Sequence, residues 1–363
     1  MPRLMLRAGL VGLPSAGKTT LFQLLTSARE APRSQGRVEA NVGVSRVPDE
    51  RLDKLTALFQ PQKRVPATVE FADMAAGRGE ASALVDVIAY RNADALLHIV
   101  RTFRDPSVPH PSGSIDAKRD ARTVEDELIL ADLGGVERRL ERLAKDIKKT
   151  PTPDLKKEQE LLTAARACLD AGKALRTLGL SVDDQRRLRG FQFLSAKPML
   201  VVINIDEADA SLAETPTPAG PLADFLKETG AHAVAVCAKI ELEIAQLDAP
   251  DAQAFMADLG LTHSGLDRVI RAAYELLGYL SFFTVGEDEC RAWSIPRGTT
   301  AQGAAGAIHS DLERGFIRAE VVPCDRLLER GSLAACRDHG ELRLEGKDYL
   351  VKDGDVMTIR HAT

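Results

Sequence analysis

The sequence predicts a parallel α/β fold interrupted by an inserted helical hairpin and followed by a small α+β domain. Three observations lead there. Strand and helix signals alternate in the first part of the chain, a helical seam replaces them from about residue 119, and short β-rich segments take over from residue 282. Strands separated by helical stretches argue for a parallel sheet, because a parallel pair needs a crossover between its strands.

Residues 4–11 read as a short buried strand, and residues 20–26 continue a helix opened at Gly17. Residues 67–72 form a second predicted strand and residues 95–100 a third. Beyond them Ile129, Leu133, Val136, Leu140, Leu143 and Ile147 step by four and three, which is one face of a helix. The prolines at 151 and 153 end that helix, since proline lacks an amide hydrogen and clashes with the preceding turn. Apolar residues resume at Leu161, Ala165, Cys168, Gly172 and Leu175 with the same stepping, so the two helices should pair antiparallel. The sheet pattern then returns with strands at 198–204 and 233–236, separated by a proline-rich loop at 214–221. Strand signals at 282–285 and 317–322, and an Asp353-Gly354 turn between two closing strands, complete the chain.

Composition narrows the function classes. Of 363 residues 44% are hydrophobic and 28% charged, an ordinary globular balance. Aromatic residues make up 4%, too few for rows of base-stacking platforms. No apolar run approaches membrane-spanning length, and the N-terminal apolar stretch is too short for a signal peptide. The five cysteines are scattered without the spacing of a zinc site. A cytoplasmic protein with reduced thiols is expected, with no membrane partner and no DNA specificity. Net charge is −5, yet residues 118–197 carry 18 Lys and Arg against 14 Asp and Glu. The inserted segment is therefore basic in an acidic protein, which suits an anionic partner and equally a solvated helical surface.

The clearest chemistry lies in Gly12-Leu13-Pro14-Ser15-Ala16-Gly17-Lys18-Thr19, which matches G-x-x-x-x-G-K-[ST] between a predicted strand and a predicted helix. Glycines there let successive amides turn toward phosphate oxygens, and the helix N-terminus adds its positive dipole end. Lys18 is expected to reach the β and γ phosphates, with Thr20 following in the same first turn. The Thr19 hydroxyl supplies a hard oxygen for Mg2+. Asp73, ending the second predicted strand, is the expected carboxylate beside that ion. Asn204-Ile205-Asp206-Glu207 follows the strand at 198–204. GTP-binding proteins usually read Asn-Lys-x-Asp here, the aspartate pairing with guanine, so Glu207 in its place weakens guanine selectivity. The same stretch also fits an apolar strand ending in Asp-Glu, as in motor-type ATPases. Cys237-Ala238-Lys239 stands where a short loop closes over the base.

These pieces in this order resemble the YchF / Obg-like ATPase family, translation-factor-related P-loop proteins. The resemblance runs nearly end to end and is most specific at residues 41–44, 47–55, 131–133, 204–207, 237–245, 264–278 and 282–295. Ala305-Gly306-Ala307-Ile308-His309 and residues 345–355 look like a TGS domain, a β-grasp module. The resemblance implies an α/β P-loop NTPase G domain in two parts, 1–118 and 198–281, an α-helical hairpin arm at 119–197 and a TGS domain at 282–363. It further implies ATP preferred over GTP, with both possible, and docking to the ribosome, on its large subunit, or to RNA through arm and TGS domain. It makes His110, in a loop, the residue that orients or deprotonates the attacking water in place of a glutamine.

The chain departs from the family pattern at three places. Ser15 replaces an asparagine associated with potassium, which puts K+ stimulation in question. Arg37 stands where a threonine would complete the magnesium shell, and arginine cannot ligate a cation. A cation near the γ-phosphate can instead be read as an arginine finger; unchanged single-turnover hydrolysis in Arg37→Ala would end that reading. Ala76 takes the glycine of the switch after Asp73, with Gly77 one residue late. Two functions fit this pattern. One is a slow ATPase whose nucleotide state controls ribosome docking. The other is a nucleotide-binding module with little hydrolysis.

Overall fold

The computed structural model describes residues 7–26, 41–73, 87–214 and 222–362. Arg37, Ala76 and Gly77 lie outside these described residues, as does the loop after residue 214. The chain divides into two compact units, Met1–Val44 with Glu70–Ala273 and Ser45–Val69 with Tyr274–Thr363.

Strand β1 (Arg7–Val11) leads into helix α1 (Lys18–Thr26). In chain order follow β2 (Asn41–Arg46), helix α2 (Glu50–Phe59), β3 (Lys63–Val65), β4 (Thr68–Asp73), β5 (Ala95–Arg101), β6 (Met199–Asn204) and β7 (His232–Val236). The first sheet has the order β2-β4-β1-β5-β6-β7, and its pairings from β4 to β7 are parallel. Every residue of β5 and β6 is buried. That is why both read as unbroken apolar runs: a parallel sheet is covered on both faces. Register decides where the chemistry sits. Leu10 lies opposite Asp73, Val11 opposite His98, Arg101 opposite Asn204, and Asn204 opposite Val236. The carboxyl ends of five strands therefore share one edge, and the strand order reverses at β1. Ligands of open α/β sheets bind outside such an edge at such a reversal.

Between β5 and β6 the chain forms helix α3 (Ala117–Lys149) and helix α4 (Pro153–Asp170). Asp116 caps α3 by accepting from the Arg119 amide, and Thr152 caps α4 by accepting from the Leu155 amide. Pro153 opens the second helix, where its missing amide hydrogen costs nothing. Of the predicted seam residues, Val136, Leu143 and Ala165 are fully buried in one core with Ile129 and Leu161. Leu133, Leu140, Ile147 and Cys168 pack against it partly buried, and Leu162 and Leu169, outside the predicted stepping, join the same core. Each fully buried leucine there contributes roughly 1.5–3 kcal/mol. The second seam ends early. Helix α4 stops at Asp170, Gly172 has φ +67°, and Leu175 joins the core from a separate turn. A left-handed glycine after a helix ends it, which apolar stepping alone does not reveal. Two buried polar knots root this arm. Arg176 grips both carboxylate oxygens of Glu125, and Asp132 accepts from the Leu194 and Ser195 amides at 2.9 and 2.7 Å.

The second unit carries β8 (Tyr279–Thr284), β9 (Glu289–Pro296), β10 (Phe316–Pro323), β11 (Arg343–Glu345) and β12 (Asp355–His361). Its sheet order is β11-β10-β12-β8-β9-β3. The domain bounds expected from the sequence place residues 45–69 in the first part of the nucleotide domain and start the last domain at 282. The structure groups 45–69 with a unit that starts at Tyr274. The reason is pairing: β3 adds to β9 in parallel, Lys63 opposite Glu289 and Val65 opposite Arg291. Arg51 of α2 reinforces it, with its guanidinium 2.7 Å from Asp353 and 5.2 Å from the centre of the Phe283 ring. The predicted strand before the Asp353-Gly354 turn is reduced to one bridge between Leu350 and Thr300.

Candidate nucleotide site

The loop after β1 is built around three backbone positions. A Cβ on Gly12 would lie 2.5 Å from the Ile99 carbonyl oxygen, and one on Gly17, at φ +94°, 2.4 Å from Asn204 Nδ2. Ser15 sits at φ +63°, a left-handed conformation that costs a non-glycine residue about 1–3 kcal/mol and is concentrated at ligand clamps. Leu13 and Ala16 send their side chains into the core, at 4% and 2% exposure, while Pro14 and Ser15 are exposed. Thus the loop offers its backbone, not its side chains, to a ligand, as phosphate cradles do. Lys18 Nζ folds over the loop and donates to the carbonyls of Gly12 and Leu13 at 2.9 and 2.8 Å. Burial holds its pKa below the usual lysine value, against the pull of Asp73.

Thr19 and Asp73 meet as the register requires. The threonine hydroxyl donates to Asp73 Oδ2 at 3.2 Å, and Asp73 is 4% exposed. Burial pushes the Asp73 carboxyl upward, opposed by the Thr19 hydrogen bond and by Lys18. Two hard oxygens converging beside a phosphate cradle fit Mg2+, which takes few protein ligands and completes its shell with water and phosphate. Thr20 follows in α1, half-buried.

Asn204 ties the phosphate loop to the predicted base loop. Its Nδ2 donates to the Ala16 carbonyl at 3.2 Å and its Oδ1 accepts from the Ala238 amide at 3.1 Å. The side chain is buried, and the backbone carbonyl of Asn204 accepts from the Thr102 and Phe103 amides. Glu207 and Lys239 lie on the rim, joined at 2.6 Å. The other members of these loops point elsewhere. Ile205 packs against the cluster of Ala210, Cys237 and Ile240, and Cys237 is a buried thiol whose pKa burial raises. Ala238 contributes its amide. Among the predicted members of these loops Glu207 and Lys239 present exposed side chains, while Asn204 is buried between the two loops.

His110 is placed differently from a free loop histidine. Its ring is 6% exposed, with Nε2 2.9 Å from Asp120 Oδ2 in the first turn of α3. Nδ1 accepts from the Ser112 amide at 3.1 Å. Nδ1 is hydrogen-bonded, whereas Nε2 lies within ion-pair distance of a carboxylate oxygen that has no hydrogen-bond partner among the described residues. The ring shares a cavity of about 10 Å3, room for about one water, with Leu13, Pro14, Ala16, His98 and Arg101. Asp120 is held from its other oxygen by Arg119 at 2.8 Å.

Sequence reasoning missed Arg101 and Asp120. Arg101 ends β5 at 3% exposure, stacks 4.3 Å above the Phe103 ring, and donates to the carbonyls of Phe103 and Val108 at 3.2 and 2.9 Å. Two further carbonyls accept at longer range, Asp105 at 3.4 Å and Ser15 at 3.5 Å. A charged residue closing an otherwise apolar strand was the available signal. Asp120 carried none, since acidic residues are commonplace in a first helical turn.

The whole chain compares closely with known proteins. It is 40% identical over 362 residues to the "Ribosome-binding ATPase YchF" of Bacillus subtilis (strain 168), covering 98% of this chain and 99% of that one. The chain belongs to the YchF family. A relative of the same description from Escherichia coli O157:H7 is 38% identical over 362 residues, covering 97% of this chain and 98% of its own. The family YchF-GTPase_C, described as "Protein of unknown function (DUF933)", matches residues 279–362. The structure of the Schizosaccharomyces pombe YchF GTPase superposes with a TM-score of 0.85 at 27% identity over 99% of both chains. The YchF fold, a P-loop α/β domain with a helical insertion and a C-terminal domain, is thus the fold of this chain. The two sets of YchF names differ on the nucleotide, ATPase in the bacteria and GTPase in the yeast.

Proposed function

We propose that this YchF-family protein is a ribosome-associated ATPase of the cytoplasm that prefers ATP to GTP and couples its nucleotide state to docking on the large subunit through the helical arm and the C-terminal unit. The observation that carries the nucleotide half is the convergence of Lys18, Thr19, Asp73 and Asn204 at one sheet edge. The docking half rests on the bacterial relatives' name.

Amides of residues 13–19 cradle the phosphates, and the α1 N-terminus adds a positive potential. On binding, Lys18 exchanges two loop carbonyls for phosphate oxygens, so its ammonium is already desolvated and aimed. Thr19 and, through water, Asp73 would hold magnesium, which would supply charge neutralisation at the phosphates. Glu207 is turned outward to Lys239. A carboxylate tied to a lysine on the rim grips guanine poorly, and this supports the adenine preference.

For hydrolysis a general base must reach the attacking water. His110 is the candidate, and Asp120 parks it: the carboxylate at the root of the arm holds Nε2 away from water. Slow basal turnover follows, with release of His110 as the step that arm docking controls. The same observation favours a second reading, a nucleotide-binding module with little hydrolysis, if His110 never leaves Asp120. Turnover of labelled ATP and GTP with Lys18→Ala and His110→Ala controls, with and without ribosomes, separates them. Activity equal to Lys18→Ala in all conditions leaves the binding module. A strong GTP preference contradicts the role given to Glu207, and no ribosome co-sedimentation with either nucleotide removes the docking claim.

A further inference from the structure

Helix α3 carries a second cationic site far along the chain from the phosphate loop. Gly135, Arg138, Arg139 and Arg142 fall at i, i+3, i+4 and i+7, one stripe of the helix. Together with Arg91, Asp132 and the turn Gly190, Phe191 and Phe193, they line a pocket of about 320 Å3. That volume is within the range of small-ligand sites.

Three features of this pocket are unexplained by the fold alone. The first is charge. Four arginines face one carboxylate, and Asp132 already spends its oxygens on the Leu194 and Ser195 amides. Arg139 is paired with Glu158 at 2.7 Å, but among the described residues neither Arg138 nor Arg142 has a carboxylate within ion-pair distance. Like charges four apart on a helix repel, so this stripe lowers arm stability unless an anion joins it. The second is glycine. Gly134 and Gly135 sit in the middle of α3, where glycine is a much poorer helix former than alanine. A Cβ on Gly135 would meet no atom within 4 Å, so no protein neighbour requires that glycine. It leaves bare backbone at the pocket wall. The third is the aromatic pair. Phe191 and Phe193 stack with centroids 5.2 Å apart and planes 4° apart; Phe193 is buried, whereas Phe191 is half-buried. A partly exposed phenyl face beside unpaired guanidinium groups is the combination that takes an unstacked base and its phosphates.

We infer that the pocket between α3 and the 190–193 turn binds single-stranded RNA, with one base on Phe191 and the flanking phosphates on Arg138 and Arg142. The inference rests on the proposed ribosome association and names the arm surface that would make it. RNA is favoured over a free nucleotide because Arg138 and Arg142 run along the helix, suiting successive phosphates of a strand.

The test uses the full chain and a short fluorescein-labelled single-stranded RNA of mixed sequence, followed by anisotropy at several salt concentrations. Arg138→Ala/Arg142→Ala should weaken binding and lower the salt slope by about 1.4, since single strands release about 0.7 ion per phosphate contact. Phe191→Leu, which keeps an apolar group on the arm core, should weaken binding roughly 5- to 100-fold. Thermal melts matching the wild type confirm that each arm is folded, and ATP affinity should be unchanged. Wild-type RNA affinity and salt slope in both variants overturns the inference, even if ribosome co-sedimentation persists. RNA binding lost in the variants while ribosomes fail to co-sediment with the wild type leaves the pocket standing and removes the docking claim. Competition by AMP or UMP at the concentrations that saturate RNA identifies a mononucleotide site and also overturns the RNA assignment.

Discussion

Replacing Asn204 with alanine is the sharpest probe of how the nucleotide site is held. Its amide group bridges the Ala16 carbonyl and the Ala238 amide, all three residues being less than one-tenth exposed. Removing the bridge leaves one buried acceptor and one buried donor without partners, each costing about 1–3 kcal/mol, so a total of about 2–6 kcal/mol is expected. The loss falls on the first unit, and urea unfolding followed by that unit's hydrogen exchange reads it. Binding should suffer too, because Ala16 and Gly17 lie in the phosphate cradle. A fluorescent ATP analogue should bind at least about tenfold more weakly, which is 1.4 kcal/mol. Asn204→Asp separates the two halves: it retains the acceptor for Ala238 but sets a carboxylate against the Ala16 carbonyl. It should keep the base loop ordered and still lose ATP affinity. Wild-type stability together with wild-type affinity in Asn204→Ala would show that the bridge holds nothing.

Three further outcomes follow from the same structure. Gly17→Ala places a Cβ 2.4 Å from Asn204 Nδ2 at φ +94°, so equilibrium binding should show ATP affinity at least tenfold lower; unchanged affinity refutes the close approach. His98 is fully buried, with burial as the largest cause of a pKa lowered to about 3. A histidine depressed in the native state from 6.5 stabilises fully above pH 6.5 and loses that contribution as pH falls toward 3, so the stability gap between wild type and His98→Leu should shrink by about 2 kcal/mol from pH 8 to pH 5; a pH-independent gap in urea titrations contradicts this. Asp120→Asn weakens the hold on His110, and single-turnover ATP hydrolysis should rise severalfold, a gain absent from the double variant with His110→Ala; an unchanged rate means that Asp120 does not restrain the histidine.

The sequence revealed most where one residue pattern answers to one physical cause. Fully buried β5 and β6 announced themselves as apolar runs, and the seam from Ile129 to Ile147 announced the arm. The phosphate loop was legible because its glycines obey backbone geometry, which spacing records. Three-dimensional adjacency was not legible. Nothing in residues 45–69 says that Lys63–Val65 will pair with a strand more than two hundred residues later. Nothing near Asp120 says that it will meet His110, because helical capping gives an aspartate there a sufficient local reason. Arg101 is the intermediate case: its place at a strand end was visible, but the carbonyl cage that satisfies it comes from a loop of no regular pattern. At the predicted base loops, sequence spacing named Asn204, Ile205, Glu207, Cys237 and Lys239, while the inward packing of Ile205 and Cys237 needed the packed structure.

The central claim is that the site built on Gly12 to Thr19 turns over ATP, and single-turnover hydrolysis of γ-labelled ATP with excess enzyme tests it most directly. The wild type should release phosphate in a magnesium-dependent reaction, slow alone and faster with ribosomes, with none above background in Lys18→Ala. Wild-type release indistinguishable from Lys18→Ala, with ATP bound in the wild type under both conditions, would contradict it.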